Sequence, residues 1–324
     1  MWNTFRKQKQ LRHSLRRVVV GAPFLACVGT VLGADWPHWR GPNRNDVTPE
    51  SSGWQPGKVW VGAPAWRRSV GIGSTSPILA DNRVYVLGWS HGKDHVVCLD
   101  AATGRTVWET TYPCPKYGRY SIGDKGYYGG PSATPEFDAA TGLLYTLSTD
   151  GDLAAWDTRK QGRRAWGLNL YQRYHVGRRP KMHRGLRDYG RTASPLLWRD
   201  WLLVEVGAPA GSLVAFNKRT GQQVWAARDR DAAGHTGGPA PMMVQGIPCA
   251  ALLTLRNLLI IRLDDRHAGE TLARYPWVTD FGCNIPTPTV AGDCVYLTSG
   301  YNHKSLCKVR IAPGSAKKVS VGCP

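Results

Sequence analysis

Asp100-Ala-Ala-Thr-Gly104-Arg-Thr-Val-Trp108 returns as Asn217-Lys-Arg-Thr-Gly221-Gln-Gln-Val-Trp225, with a weaker copy, Asp157-Thr-Arg-Lys-Gln-Gly162-Arg-Arg-Ala-Trp166, between them. A repeat on this scale describes an array of similar units before any single residue is interpreted. A second anchor lies upstream of each copy, where a proline precedes a short apolar run. Ser76-Pro77 leads to Val84-Tyr85-Val86-Leu87, Thr134-Pro135 to Leu144-Tyr145-Thr146-Leu147, and Ser194-Pro195 to Trp201-Leu202-Leu203-Val204. Ala240-Pro241 and Thr287-Pro288 continue the series, and the five prolines are separated by 58, 60, 46 and 47 residues.

Within a unit the apolar residues alternate or run for four to six positions, are rich in Val, Leu, Tyr and Trp, and are bounded by Gly, Asn and Asp, which predicts short strands. Asp81-Asn82 and Gly292-Asp293 punctuate strand pairs as tight turns do, and Thr103-Gly104 supplies the positive φ of another. Each unit is therefore a small antiparallel meander. Such a sheet cannot bury both faces alone, and radial stacking of the units gives an all-β propeller.

A short polar residue and Gly close a turn, and an indole placed just after it can lie across the neighbouring blade. On that pattern the chain resembles the tryptophan-docking repeats of the pyrroloquinoline-quinone (PQQ)-like, or quinoprotein-like, propellers, from about Trp60 to the end. The resemblance assigns Trp108, Trp166 and Trp225 to blade docking. The opening Asp35-Trp-Pro-His-Trp39-Arg-Gly-Pro-Asn-Arg44 is similar to the lead-in of an exported subgroup of that family. A WD40 array fits less well, because Trp156-Asp157 is a single pair in a different register. The unit around Asp264-Asp265-Arg-His-Ala-Gly269 has Ala273 where Trp is expected. Four clear units are visible, and Ser305-Leu306-Cys307-Lys308-Val309 is read as the start of a further one. Family propellers close with seven or eight blades, so the expectation is an array that is incomplete or irregular toward its C-terminal end.

The organisation expected is a leader over residues 1–33, a lead-in over 34–59 and propeller repeats over 60–324. Arg6, Lys7, Lys9, Arg12, Arg16 and Arg17 precede a short apolar stretch from Val18 to Leu32, the layout of a secretory signal peptide and too short and broken for a confident span. Export to the periplasm or cell envelope is expected, with membrane association only through an uncleaved N-terminal segment. Cleavage would remove six of 42 Lys and Arg and none of 23 Asp and Glu, leaving a net charge of +13. A basic exported protein meets an envelope protein or an anionic polymer more readily than nucleic acid, and no helix-turn-helix or RNA-binding pattern is present. Seven cysteines would remain, an odd number at irregular spacing and without Cys-x-x-Cys.

The resemblance includes PQQ-dependent dehydrogenases, which need a quinone, a calcium ion and a catalytic carboxylate. The adjacent cysteine pair typical of those enzymes is lacking, and Asp229-Arg230-Asp231 and Asp264-Asp265 are read as solvated acids at turns. No catalytic residue, cofactor ligand or metal ligand is assigned, although PQQ with calcium stays open as a cofactor set. Two long insertions are the better candidates, since rigid arrays build binding surfaces on loops. One interleaves Tyr117, Tyr127 and Tyr128 with Arg119; the other carries Tyr174, Arg178, Arg179 and Arg184. Tyr and Arg are enriched at interface anchors. These loops either bind an anionic partner or are ordered connections across the propeller face. The function expected is a non-catalytic exported scaffold; a quinoprotein oxidoreductase and a fragment of a larger propeller remain the alternatives.

Overall fold

Every proline anchor stands beside or within the first strand of a four-stranded antiparallel sheet, and five such sheets follow one another along the chain. The structure, a computed structural model, describes residues 34–58, 62–115, 129–177, 180, 188–300 and 305–319. The expected leader over residues 1–33 lies outside the described residues. Blade 1 is β1 (Ile78–Ala80), β2 (Arg83–Ser90), β3 (Lys93–Asp100) and β4 (Thr106–Pro113). Blade 2 is β5 (Glu136–Asp138), β6 (Leu143–Leu147), β7 (Asp152–Asp157) and β8 (Arg163–Asn169), followed by a short helix α1 (Leu170–Tyr174). Blade 3 is β9 (Leu196–Trp198), β10 (Trp201–Gly207), β11 (Gly211–Asn217) and β12 (Gln223–Ala226). Blade 4 is β13 (Ala240–Val244), β14 (Ile247–Leu253), β15 (Asn257–Arg262) and β16 (Thr271–Pro276). Blade 5 is β17 (Thr289–Ala291), β18 (Cys294–Ser299), β19 (Ser305–Ala312) and β20 (Ser315–Val319).

The segment at Ser305 is thus the third strand of blade 5, paired with β18 along its length, and does not begin a further unit. The turns follow the expected chemistry. Asp81 and Asn82 both take left-handed backbone, with φ of 51° and 58°, which suits the right-handed twist of the strands they join.

Side chains alternate across each strand, so successive sheets share a core on each face. In β6, Leu144 packs with Tyr85, Cys98 and Trp108 of blade 1, whereas Leu143, Tyr145 and Leu147 pack with Leu202, Val204 and Phe216 of blade 3. Leu203, Leu213 and Ala215 meet Leu252, Leu259 and Ile261 of blade 4. On the other face of blade 4, Val244, Leu258 and Ile260 meet Val295, Leu297 and Val309 of blade 5. Four cores in chain order between five sheets define a radial array of blades. Among the described residues no strand pairing or buried core joins blade 5 to blade 1.

The first strands gather at the axis and are tied there by hydrogen bonds between consecutive blades. Ser76 N donates to Thr134 Oγ1 at 3.2 Å and Thr134 N to Ser194 Oγ at 2.9 Å. Ser194 N then donates to Gly237 O at 3.0 Å, and Gly237 N to Ile285 O at 3.1 Å.

The fourth strands carry the docking indoles. Trp108, Trp166 and Trp225 face Cys98, Ala155 and Ala215, each just before a bulge. Each indole covers the turn glycine of the next blade: a Cβ on Gly162 would lie 2.5 Å from Trp108 Cζ3, and one on Gly221 2.5 Å from Trp166 Cε3. Gly269 is looser, at 3.1 Å from Trp225. Trp66, outside any strand, caps Gly104 in the same way and donates its indole N–H to Ala101 O at 2.9 Å. Trp166 makes the matching bond to Lys218 O at 3.0 Å. Ala273 occupies the tryptophan register of blade 4, opposite Ile260. The glycine it should cover, Gly314, has open space around it.

Candidate binding sites at the two ends of the array

The two ends of the array differ in what covers them. One end carries the first and third hairpin turns of every blade, and the lead-in segment is strapped across it. Trp36 exchanges backbone hydrogen bonds with Leu79 of blade 1, and Phe137 N of blade 2 donates to Pro37 O. Trp39 donates its indole N–H to Thr287 Oγ1 of blade 5 at 2.9 Å, and Arg40 reaches the carbonyl of Pro288 at 3.4 Å.

Beneath this strap, at the start of β5, is Glu136, whose side chain is fully buried. Arg44 grips both of its oxygens, its Nη1 lying 3.1 Å from Oε2 and its Nη2 closer still to Oε1. His38 lies 3.3 Å away, and Leu197 N of blade 3 donates at 2.9 Å. Burial alone would raise the Glu136 pKa, but Arg44 and His38 outweigh it and hold the carboxyl below its ordinary value. A buried bidentate guanidinium–carboxylate pair with its remaining lone pairs satisfied is the arrangement in which a charge tolerates the interior. A cavity of about 440 Å³ opens beside it, lined by His38, Arg44, Phe137, Asp138, Trp198 and Lys218 among others. Lys218 and Asp138 are paired there at 3.0 Å.

The opposite end carries the second hairpin turns and the connections from blade to blade. Both long insertions leave from fourth strands at this end. Of the expected anchors, Tyr117, Arg119, Tyr127, Tyr128, Arg178, Arg179 and Arg184 lie outside the described residues. Tyr174 is described: it closes α1, packs edge-on against Phe216 at 6.5 Å and donates its hydroxyl to Gln223 at 2.8 Å. Its ring is therefore part of the seam between blades 2 and 3.

A second cavity, of about 290 Å³, lies at this end between blades 3 and 4. Tyr171, Val176, Gly177 and Pro180 form its wall on the insertion side, and Val206, Ala208, Ala232 and Ala233 supply apolar surface. Arg191, Arg230 and Arg256 also line it. Arg191 is almost wholly buried. It is fixed by a hydrogen bond from Nη1 to Val206 O at 2.5 Å and by the Tyr171 ring, whose centroid is 4.9 Å from the guanidinium carbon.

Asp229 and Asp231 do not behave as solvated turn residues, contrary to the reading from sequence. Asp229 is nearly buried, bridges to Arg274, and accepts Ser212 Oγ at 3.3 Å and Asp231 N at 3.0 Å. Asp231 accepts the Thr254 hydroxyl, Asn257 Nδ2 at 2.7 Å and Ala232 N at 3.1 Å. Both are consumed in holding the connection between blades 3 and 4. Nearby, His235 donates from Nδ1 to Gly282 O at 3.2 Å and so accepts Tyr189 N at Nε2, 3.3 Å away, as a neutral imidazole. In the β15–β16 turn, at the strap end, Asp264 is engaged by Arg262 at 2.7 Å, and Asp265 is solvated as the sequence reading has it. Among the described residues no three His, Cys, Asp or Glu side chains converge on a point where a cation could be held. The six described cysteines are buried thiols, none of them in a disulfide.

Sequence reasoning missed Trp66, the strap and Arg191. Trp66 lies upstream of the first complete repeat and has no Asp-x-x-Thr-Gly ahead of it. Arg191 reads as the last charge of a basic loop, although the Gly-Arg-Thr-Ala-Ser-Pro run that contains it is the entry to β9.

The family model described as outer membrane protein assembly factor BamB matches residues 60–225. No curated protein matches the chain. Among solved structures it is similar to BamB from Moraxella catarrhalis, with 19% identity and a TM-score of 0.48, covering 77% of this chain and 64% of that one. A europium-containing methanol dehydrogenase aligns with 16% identity and a TM-score of 0.42, over 76% of this chain and 49% of that one. The dihydro-heme d1 dehydrogenase NirN aligns with 13% identity and a TM-score of 0.45, over 74% and 46%. The chain thus spans less than two thirds of the length of each.

Proposed function

We propose that this chain, which belongs to the family described as outer membrane protein assembly factor BamB, is an exported, non-catalytic propeller scaffold that engages a protein partner of the cell envelope at its connection-bearing end. One observation carries this reading: the two ends are built differently. The strap holds one end closed around the Glu136 ion pair, while both long insertions leave their fourth strands at the other end, which also holds the arginine-lined cavity. A rigid array whose long loops start from one end is a common geometry of a binding platform. The basic charge of the chain is supporting, since it favours encounter with acidic surfaces.

The test is photo-crosslinking from single positions in cells that carry the full chain. Probes at Tyr174 and Arg256 report on the connection end, and probes at Asp46 and Arg199 on the strap end. A discrete envelope polypeptide captured from the first pair and not from the second is the expected result. Equal capture from both pairs, or capture from the strap end alone, refutes the assignment. Addition of PQQ and calcium to the purified protein is expected to leave dye reduction at background, and calcium-dependent turnover would replace the scaffold reading with an enzymatic one.

A further inference from the structure

We propose that Ser90 is a covalent acyl acceptor, activated by His95 and Glu109, that takes its acyl group from an activated carboxylic ester, one whose alcohol or thiol departs as a stable anion. The inference goes beyond the envelope-partner reading and does not rest on it, because acylation of blade 1 and capture of a partner are measured separately.

Ser90 ends β2, His95 lies in β3 and Glu109 in β4, so three adjacent strands of blade 1 carry one residue each. Tyr85, Val96, Cys98 and Trp108 face blade 2, and side chains alternate along a strand, which puts Ser90, His95 and Glu109 together on the other face. There Ser90 Oγ lies 2.8 Å from His95 Nε2, and His95 Nδ1 lies 2.6 Å from Glu109 Oε1. The last member fixes the order of donors. A carboxylate only accepts, so Nδ1 carries the imidazole hydrogen and donates it to Glu109, and the lone pair of Nε2 accepts the Ser90 hydroxyl. Nucleophile, base and orienting acid within hydrogen-bond reach are the parts that activate a serine. Ser90 is only half-buried and the His95 side chain is 21% exposed, so a small reagent can reach them. Ile72, bridged to Trp89 and itself exposed, places apolar surface next to Ser90 in the chain. In the reaction Ser90 Oγ bonds to the acyl carbon, its proton passes to His95 Nε2, and the bond from that carbon to the leaving oxygen or sulfur breaks; the departing anion then takes the proton from His95. The product is an ordinary alkyl ester of Ser90. Its serine alkoxide leaves far less readily than the anion already released, so the acyl group stays on the protein.

The experiment treats the full chain with 4-nitrophenyl acetate and, separately, with a dialkyl fluorophosphonate, whose fluoride departs in the same manner, and follows intact mass and the modified peptide. A single acetyl or phosphonyl group at Ser90 is expected, and Ser90→Ala should abolish it with unchanged melting. His95→Ala should slow labelling of Ser90 by roughly a hundredfold or more, whereas His91→Ala, at the exposed neighbouring turn, should leave the rate unchanged. Glu109 acts through His95 as a positioning residue: Glu109→Gln should slow labelling at least roughly tenfold, and Glu109→Asp, which keeps the carboxylate, should recover part of the rate, a difference that a merely structural role would not produce. Label spread over lysines and tyrosines without enrichment at Ser90, or Ser90 labelled at the wild-type rate in His95→Ala, overturns the proposal.

Discussion

The tryptophan-to-glycine ladder makes a quantitative prediction because the molecule contains its own control. Gly162 and Gly314 both lie between the third and fourth strands of their blades, in a five-residue turn of blade 2 and a two-residue turn of blade 5, and both take left-handed backbone, with φ of 70° and 69°. Substitution by alanine at either site therefore carries the same backbone penalty, about 1–2 kcal/mol for a Cβ in the left-handed region. Packing then separates them. At Gly162 the new methyl would stand 2.5 Å from Trp108 Cζ3, an impossible distance that forces the indole or the hairpin to move. At Gly314 it would meet nothing within 4 Å, because Ala273 stands where the docking indole would be. Overpacking of a closed contact costs about 1–3 kcal/mol, so Gly162→Ala should destabilise by about 2–5 kcal/mol and Gly314→Ala by about 1–2 kcal/mol. Urea unfolding followed by tryptophan fluorescence and circular dichroism measures both, with the denaturant slope checked for constancy. Gly269→Ala should fall between them, since its nearest indole atom is at 3.1 Å. Equal losses at Gly162 and Gly314 would show that the turn conformation alone, and not indole docking, holds these positions.

Three further outcomes are expected. Arg44→Met leaves Glu136 buried without its main counter-charge and should cost about 3–5 kcal/mol. In the native protein the depressed Glu136 pKa contributes stability above the ordinary carboxyl value of 4.5 that is lost as pH falls through the folded pKa, and an acid-unfolding profile of the variant should lack that limb. Asp94 is fully buried beside Ser148, Tyr112 and Cys114, and burial raises its carboxyl pKa above 3.8. The native state then keeps a proton that the unfolded chain has lost, so stability falls as pH rises from 3.8 toward the raised value, and Asp94→Asn should flatten this segment of the curve. Trp66→Ala should destabilise by about 3–5 kcal/mol despite lying outside any strand, whereas Trp54→Ala, at an exposed indole, should stay within about 0.5 kcal/mol; chemical denaturation of both variants distinguishes them.

Much of the array could be read from residue order because its two determinants are local. Turn closure needs only a short polar acceptor and a glycine: Asp100 Oδ1 accepts Thr103 N, and Asn217 Oδ1 accepts Thr220 N. The same pentapeptide, Asp-Ala-Ala-Thr-Gly, recurs at 138–142 and closes the β5–β6 turn, where the Thr141 hydroxyl donates to Asp138 as the Thr103 hydroxyl does to Asp100. There a Cβ on Gly142 would meet Arg159 and not an indole. The pentapeptide therefore encodes a turn, and the tryptophan four residues beyond the glycine encodes docking. What could not be read depends on partners distant in sequence. Nothing local to Glu136 announces that Arg44 will reach it, and nothing in Arg230 or Arg256 says that Arg191 will line the same cavity. Asp229 and Asp231 look like surface acids until their acceptors' partners, at 212, 254, 257 and 274, are brought alongside.

The strap has a kinetic meaning. Stacked repeats couple only to their neighbours, and such arrays fray from the ends one unit at a time. The Trp39 indole bonded to Thr287 joins residues 248 positions apart, while Arg44 fastens the same decapeptide to blade 2. That closure cannot form until blade 5 exists, so during synthesis this early segment is among the last to be seated. Once seated, it makes opening at blade 5 cost contacts at the far end of the chain, and the array should lose its structure in one concerted step where an untied stack would unzip.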